Sequence, residues 1–146
     1  MRIEIDINDT YRDTEVTIRA PRLTRDIEKM VALMRMIDMQ IGVKRGGETY
    51  LLDAGKILYI ETVDRKTFVY TENQVYESDM RLYEMEQELL ERDFLRVSKQ
   101  SIVNLRKVKS LRSDVDRKIR ITLQNGEQIV VSRMYSDELR RKLGLK

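Results

Sequence analysis

Apolar and polar residues alternate along most of this chain, and helical spacing replaces the alternation in three places. Residues 2–8 alternate isoleucine with polar side chains, and residues 16–20 continue the same period of two, so both are predicted strands with one buried face. Apolar residues then recur at helical spacing from Ile27 to Ile37, with Thr24 as the expected N-cap. Residues 1–40 are therefore predicted to form a strand–strand–helix unit.

After residue 40 the pattern changes to short alternating segments separated by turn residues, among which Asn125-Gly126 is a strong hairpin sequence. Helical spacing returns at residues 82–90, after Ser78 or Asp79 as cap, and at residues 137–143, after Ser136 as cap. Residues 101–105 are predicted to form a turn or a short helical piece. The predicted strands are 40–44, 48–52, 57–63, 68–71, 74–77, 94–97, 107–112, 118–123 and 127–131. The fold class is mostly β with few helices (α+β), which argues against a helix-turn-helix fold.

The predicted core follows from the same periodicities. In the helix at residues 82–90 the inner edge is expected to contain Leu82, Met85, Glu86, Leu89 and Leu90. In the strands we expect Phe94, Val103, Leu111, Ile121 and Val130 to be buried.

Composition removes most catalytic chemistry. The 146 residues include no Cys and no His, which excludes disulfides, thiol or imidazole catalysis and Cys/His zinc sites. Ser98-Lys99 is the remaining pair that suggests a nucleophile and base, and no further catalytic pattern accompanies it. We therefore expect no enzyme activity, no metal and no cofactor.

The chain shows no pattern of export or membrane insertion. Its first eight residues alternate charge and isoleucine, whereas a signal peptide needs a continuous apolar stretch. The longest apolar run has five residues, 30–34, and a bilayer span needs about 20. We expect a cytoplasmic protein.

The formal net charge is +3, but the charge is distributed unevenly along the chain. Residues 1–40 carry −1 and residues 41–95 carry −5, whereas residues 96–146 contain 14 basic and five acidic side chains, a net charge of +9. A basic C-terminal third indicates a polyanionic partner or, alternatively, a solvated Lys/Arg surface.

Four short motifs occur in an order and spacing typical of one family. They are Ile57-Leu58-Tyr59-Ile60-Glu61, the stretch 94–104, Leu123-Gln124-Asn125-Gly126 and Val131-Ser132-Arg133-Met134-Tyr135. Through these motifs residues 41–144 resemble the LytTR DNA-binding domain. The stretch 94–104 matches the family at Phe94, Arg96, Val103 and Asn104. It departs at Ser98, Gln100 and Ser101, where the family often has His, Ser and an aromatic residue.

The resemblance implies a transcriptional regulator with a mostly antiparallel β fold. Domains of this family insert loops, and not a recognition helix, into successive major grooves of double-stranded promoter DNA. Arg pairs bidentately with guanine, Gln with adenine, and Lys contacts guanine or phosphate. Arg133, directly after the last predicted strand, is the strongest candidate for base contact. The residues predicted to bind DNA are Arg65, Lys66, Ser98, Lys99, Gln100, Ser132 and Arg133.

Other polar residues of the basic third have more ordinary interpretations. Arg106, Lys107 and Lys109 are predicted either to contact phosphates or to form a solvated strand end. Asn104 is predicted to be a structural anchor in a turn and not a base contact.

Residues 1–40 are too few for the phosphorylated receiver domain of many LytTR proteins, since a receiver needs roughly a hundred residues. The resemblance is therefore to stand-alone LytTR regulators, whose genes often lie beside a membrane-protein gene, which implies a functional link to such a protein. The methionines at 30, 34, 36 and 39 follow the predicted helix. They either complete a local core or form a partner surface, and we predict a homodimer.

Two other classes of function stay open from the sequence. One is a protein-interaction module (an anti-activator or adaptor) in which the acidic middle segment and the methionine-rich helix dock a partner and the basic third is incidental. The other is RNA binding, which usually requires exposed aromatic residues for stacking, whereas Tyr and Phe here occupy mostly strand positions that are predicted to be buried.

Overall fold

The computed structural model describes residues 1–12, 14–38 and 40–145, with the side chains of 36–38 outside that description. The chain divides into two compact units, Met1–Arg35 and Met36–Lys146, and each is described by itself. The sequence predictions that concern Asp13, Met39 and the side chains of Met36 and Ile37 lie outside the described residues.

The first unit contains most of helix α1 (Arg25–Asp38), which begins where the sequence predicts. Thr24 caps it, because the Ile27 amide donates to Thr24 Oγ1 at 3.4 Å and the Glu28 amide donates to the Thr24 carbonyl at 3.1 Å. The N-cap prediction is confirmed.

The two strands predicted before this helix are wrong. Residues 1–12 and 14–23 contain no strand in the described part of the chain, and Ile3, Ile5 and Ile7 are 76%, 82% and 91% exposed. Alternation specifies which face of a strand is apolar, but a strand also needs a neighbour whose backbone groups accept and donate its hydrogen bonds. The described residues of the first unit supply no such neighbour.

After α1, the described residues of the second unit form two antiparallel sheets, two α-helices and three short 3-10 helices. The larger sheet has seven strands in the order β2-β1-β5-β4-β3-β7-β6, and the smaller has three in the order β10-β9-β8. The elements in chain order are β1 (Gln40–Arg45), β2 (Glu48–Asp53), β3 (Ile57–Val63), β4 (Lys66–Thr71), β5 (Val75–Ser78), α2 (Leu82–Glu88), β6 (Phe94–Arg96), β7 (Ser101–Asn104), β8 (Val108–Ser113), β9 (Ile119–Leu123), β10 (Gln128–Val131) and α3 (Arg133–Lys142).

The larger sheet contributes to two cores, and its strands β3, β6 and β7 have buried residues in both. On one face Ile60 and Ile102 pack with Met85 and Leu89 of the α2 segment. The other core contains Val97, which follows β6, and residues from the larger sheet, from the smaller sheet and from α3, namely Leu58, Leu95, Val103, Ile119, Ile121, Leu123, Val131 and Leu139. This double burial explains why neighbouring residues such as Phe94 and Leu95 are both buried although their side chains point to opposite faces.

Most predicted strands are confirmed within one or two residues, and four local predictions are wrong. The N-cap residue of α2 is Arg81 and not Ser78 or Asp79. Residues 101–104 form β7 and not a turn, because they pair with both β6 and β3. Val130 is 39% exposed, whereas Val131 is buried, since the inward face of β10 contains Ile129 and Val131. Leu90 follows the end of α2 and is exposed.

The Asn125-Gly126 hairpin is confirmed. The Gly126 amide donates to the Leu123 carbonyl at 2.9 Å, and the Leu123 amide donates to the Glu127 carbonyl at 2.8 Å, which closes a short loop between β9 and β10. Gly126 has φ +92°, a left-handed conformation that suits glycine at the last position of such a loop.

Tyr59 connects the hairpin to the larger sheet and gives the fold a predicted sensitivity to alkaline pH. Its ring stacks on Tyr70 with centroids 4.3 Å apart, and its hydroxyl donates to Glu127 Oε2 at 2.8 Å. Burial, followed by the hydrogen bond to Glu127, raises the pKa of Tyr59 well above its ordinary value. Because the folded state then holds this proton more tightly than the unfolded state, the stabilisation is complete below about pH 10 and is lost as the pH rises further.

We expect Tyr59→Phe to flatten the decrease in the free energy of unfolding between about pH 8 and pH 11, since the titrating hydroxyl is removed. Urea denaturation at several pH values measures this. The exposed Tyr83→Phe is the control and is expected to retain the wild-type decrease. An unchanged slope in Tyr59→Phe would contradict the assignment.

Candidate nucleic-acid interface

The loop between β6 and β7 is tightly closed, and together with Ser101, the first residue of β7, it is called the 97–101 loop. Its Val97 and Ser98 amides both donate to the Ser101 carbonyl, at 3.0 and 3.4 Å, and the Gln100 amide donates to Ser98 Oγ at 3.1 Å. A serine hydroxyl that accepts from the backbone two residues later is a common way to fix a turn. Lys99 and Gln100 lie at its tip and are exposed, whereas Ser98 is half-buried.

Two backbone hydrogen bonds fasten this 97–101 loop to its neighbours. The Thr62 amide donates to the Gln100 carbonyl at 2.8 Å, which attaches the loop to the end of β3. The Ser132 amide donates to the Val97 carbonyl at 2.9 Å, which attaches it to the start of α3. The loop therefore lies between two other segments that the sequence predicts to bind DNA.

Arg133 is the first residue of helix α3, which begins four residues before the start predicted at residue 137, so that prediction is wrong. The last strand ends at Val131, Ser132 is the N-cap residue, and Arg133 is the first helical residue. Ser136, predicted as the cap, is instead a buried residue of the first turn whose hydroxyl donates to the Ser132 carbonyl at 3.0 Å. Buried Leu139 anchors the helix, so Arg133 projects from a rigid element.

The third predicted segment is the two-residue turn Asp64-Arg65 between β3 and β4. Val63 pairs with Lys66, and both turn residues are left-handed, with φ of +51° and +67°. Such a turn matches the twist of the two strands, although an arginine rarely adopts this conformation. Arg65 and Lys66 are exposed, whereas Thr67 is 4% exposed and faces away from any ligand in solution.

The structure brings the predicted residues to one end of the second unit. Lys99 and Gln100 share an open groove of about 440 Å³ with Arg133, and its remaining lining residues are Ser98, Ser132, Met134 and Tyr135. Arg65 and Lys66 do not line this groove. They lie at the end of β3 beyond Thr62, the residue that holds Gln100.

The cations of this surface are available for a polyanion. Arg65, Lys66, Lys99 and Arg133 are all exposed, and within residues 1–12, 14–38 and 40–145 none of the four forms an ion pair. A phosphate therefore replaces water and counterions at these side chains and breaks no existing ion pair.

Arg106, one of the other basic residues considered from the sequence, lies at the opposite end of the β6–β7 hairpin. Its Nε donates to Asp93 Oδ2 at 2.7 Å, and Asp93 immediately precedes β6. β7 separates Arg106 from the 97–101 loop by about 13 Å of strand. Asn104 is 1% exposed and bonded to the backbone, so its predicted structural role agrees with its position.

Sequence reasoning gave no role to three residues of this region. Met134 is 72% exposed in the groove, Tyr135 is half-buried beside it, and Arg96 lies beneath the 97–101 loop. Met134 and Tyr135 belong to the last sequence motif, which places them near Arg133. No local pattern indicates that Arg96 bonds to the backbone of the following turn.

Two kinds of feature are not found in the described residues. No helix among them is long and apolar enough to cross a membrane. Their Asp and Glu side chains also form no cluster of three or more that could hold a metal ion.

Comparison with known proteins identifies relatives along nearly the whole chain. A Staphylococcus aureus (strain NCTC 8325) protein named an uncharacterized HTH-type transcriptional regulator is 22% identical over 148 residues, which covers 99% of both chains. A similarly named protein of S. aureus strain N315 is 23% identical over 155 residues, again 99% of both. In this chain β6 to β10 separate α2 from α3, so these two helices do not form a helix-turn-helix.

Structure comparison and family comparison agree on the second unit. A LytTr DNA-binding domain from Bacillus cereus superposes with a TM-score of 0.70 and 27% identity, covering 73% of this chain and 98% of that one. The LytTr DNA-binding domain family matches residues 47–144, which include every element from β2 to α3 and all seven residues predicted from the sequence to bind DNA. The chain belongs to the LytTR DNA-binding domain family.

Proposed function

We propose that this protein is a sequence-specific transcriptional regulator that reads successive major grooves of promoter DNA. The observation that carries the proposal is the arrangement of the 97–101 loop between the end of β3 and the start of α3. Each of the three segments has an exposed cation that forms no ion pair with any described residue. The family and the named relatives support DNA binding and transcriptional regulation.

The chemistry of the groove suits base recognition as well as phosphate contact. Arg133 can donate two hydrogen bonds to O6 and N7 of guanine, and Gln100 can pair with adenine through its amide. Lys99 and the β3–β4 turn cations suit phosphates or guanine, whereas Ser98 and Ser132 offer hydroxyls to either. A major groove about 12 Å wide admits a loop or the end of a helix.

Additional proposals concern partners and location. A homodimer is supported by the exposed isoleucines of the first unit, whose apolar surface has no partner among its described residues. A cytoplasmic location agrees with a promoter ligand. The link to a membrane protein encoded nearby rests on the resemblance alone and stays a prediction.

The test is direct binding to DNA. Two kinds of duplex are compared with scrambled duplexes by fluorescence anisotropy across a salt series. One kind is enriched by the protein from a random pool, and the other contains the region upstream of the protein's own gene. We expect the enriched duplex to bind about a hundredfold or more tightly than the scrambled one, with a steep decrease in affinity as salt rises.

The opposite result would be a pool that does not enrich and duplexes that bind equally. That outcome removes the regulator proposal for the isolated protein and favours a protein-interaction module. Preferential binding of single-stranded RNA would instead favour the RNA hypothesis.

A further inference from the structure

Arg96 has an unusual environment for an arginine at the end of a strand. It is the last residue of β6, and its side chain is only 18% exposed. Alternation places it on the same face as Phe94, the face of the larger sheet that α2 covers. It therefore points under the 97–101 loop, away from the groove that the loop helps to form.

Three hydrogen bonds hold the Arg96 guanidinium. Nε donates to the Ser98 carbonyl at 2.8 Å, Nη2 donates to the Lys99 carbonyl at 2.6 Å, and Nη1 contacts Glu86 Oε1 at 3.4 Å. The two carbonyls belong to consecutive residues of the loop, and Glu86 belongs to α2. The guanidinium group is planar and its N–H groups point in fixed directions, so it can donate to all three acceptors at once. A lysine ammonium cannot reproduce that arrangement.

The bonds to the loop bear directly on the side chains that face DNA. Both peptide groups flanking the Lys99–Gln100 segment are fixed, the first by Arg96 and the last by the Thr62 amide on the Gln100 carbonyl. A loop ordered before binding loses less conformational entropy when it binds and holds its side chains at defined angles.

We propose that Arg96 is a positioning residue that sets the orientation of Lys99 and Gln100 for base contact and does not itself touch DNA. Glu86 orients the guanidinium from α2, so the specificity of the loop depends on a helix on the far side of the sheet. This inference rests on the proposed function.

The DNA test compares Arg96→Met and Arg96→Lys with wild type, using the enriched and scrambled duplexes. We expect both variants to lose about fivefold to tenfold of the preference for the enriched duplex, with unchanged affinity for the scrambled duplex and an unchanged salt slope. Arg120→Met is the matched control, because Arg120 is also partly buried and ion-paired, with Asp114 at 3.0 Å, and makes no bond to the loop.

Two DNA results would overturn the inference. Full rescue by Arg96→Lys together with a reduced salt slope in Arg96→Met would identify a phosphate contact made by Arg96 itself. A lower melting temperature with wild-type preference in both variants would identify a purely structural residue.

Amide hydrogen exchange of the free protein separates this inference from the proposed function. We expect Arg96→Met to accelerate exchange at the Gln100 and Thr62 amides and to leave the Ile60 amide unchanged. Unchanged exchange at Gln100 and Thr62 overturns the positioning role, whatever the DNA result. Accelerated exchange in a protein whose wild type does not distinguish the duplexes means that Arg96 orders the loop and that the proposed function is wrong.

Discussion

Arg133→Ala is expected to remove most of the preference for the enriched duplex while the protein stays folded. Arg133 is exposed, begins α3, and forms no ion pair among the described residues, so its replacement breaks no ion pair within the described fold. A bidentate contact from arginine to guanine is worth about 1–3 kcal/mol of discrimination, which corresponds to roughly 5-fold to 150-fold in the ratio of dissociation constants. Fluorescence anisotropy at one fixed salt concentration measures that ratio, and thermal denaturation checks the fold.

The matched control is Arg141→Ala. Arg141 is exposed on the same helix, eight residues or about 12 Å further along, and its removal changes the net charge equally. We expect Arg141→Ala to retain the preference. Equal losses in the two variants would show that Arg133 contributes only general charge, and a loss restored by Arg133→Lys would indicate a phosphate contact in place of a base contact.

Nine of the ten described strands of the second unit were predictable, because each has a local pattern and a neighbour that satisfies it, whereas β7 was predicted as a turn. The sequence does not indicate which residues of a continuous apolar run face the core. Ile129, Val130 and Val131 fit either face, and only the packing of the smaller sheet decides between them. The alternating residues 2–8 show the opposite case, in which the pattern is strong and a pairing neighbour is missing from the described residues.

The candidate interface was predictable from motifs and not from physical pattern alone. Periodicity indicates neither that the Val97 carbonyl meets the Ser132 amide nor that the Gln100 carbonyl meets the Thr62 amide. These contacts join residues far apart in the sequence through backbone groups that every residue has. The role of Arg96 was hidden for the same reason, because two of its three partners are carbonyl oxygens.

Asn104 is expected to be among the most sensitive positions for stability. Its side chain is 1% exposed, its Nδ2 donates to the Ile57 carbonyl at 2.9 Å, and its Oδ1 accepts from the Arg106 amide at 3.0 Å. The first bond joins the end of β7 to the start of β3, and the second caps the short helical turn that follows β7. The Asn104 side chain thus supplies a donor to the Ile57 carbonyl beyond Tyr59–Val103, the last residue pair of β3 and β7 at this end.

Asn104→Ala leaves two backbone groups without this partner and opens a cavity, so we expect it to lower the free energy of unfolding by about 2–4 kcal/mol. Urea denaturation measures the change, and Asn73→Ala, at an exposed asparagine, is expected to alter stability by less than about 0.5 kcal/mol.

Asn104→Ala also decides between the two roles an asparagine in this motif can have, when its preference among duplexes is measured beside its stability. If Asn104 contacts a base, the variant keeps a stability near wild type and loses preference among duplexes. If Asn104 is a buried anchor, the variant is less stable, but the protein that stays folded keeps its preference. We expect the second result, because Asn104 lies at the end of β7 away from the 97–101 loop.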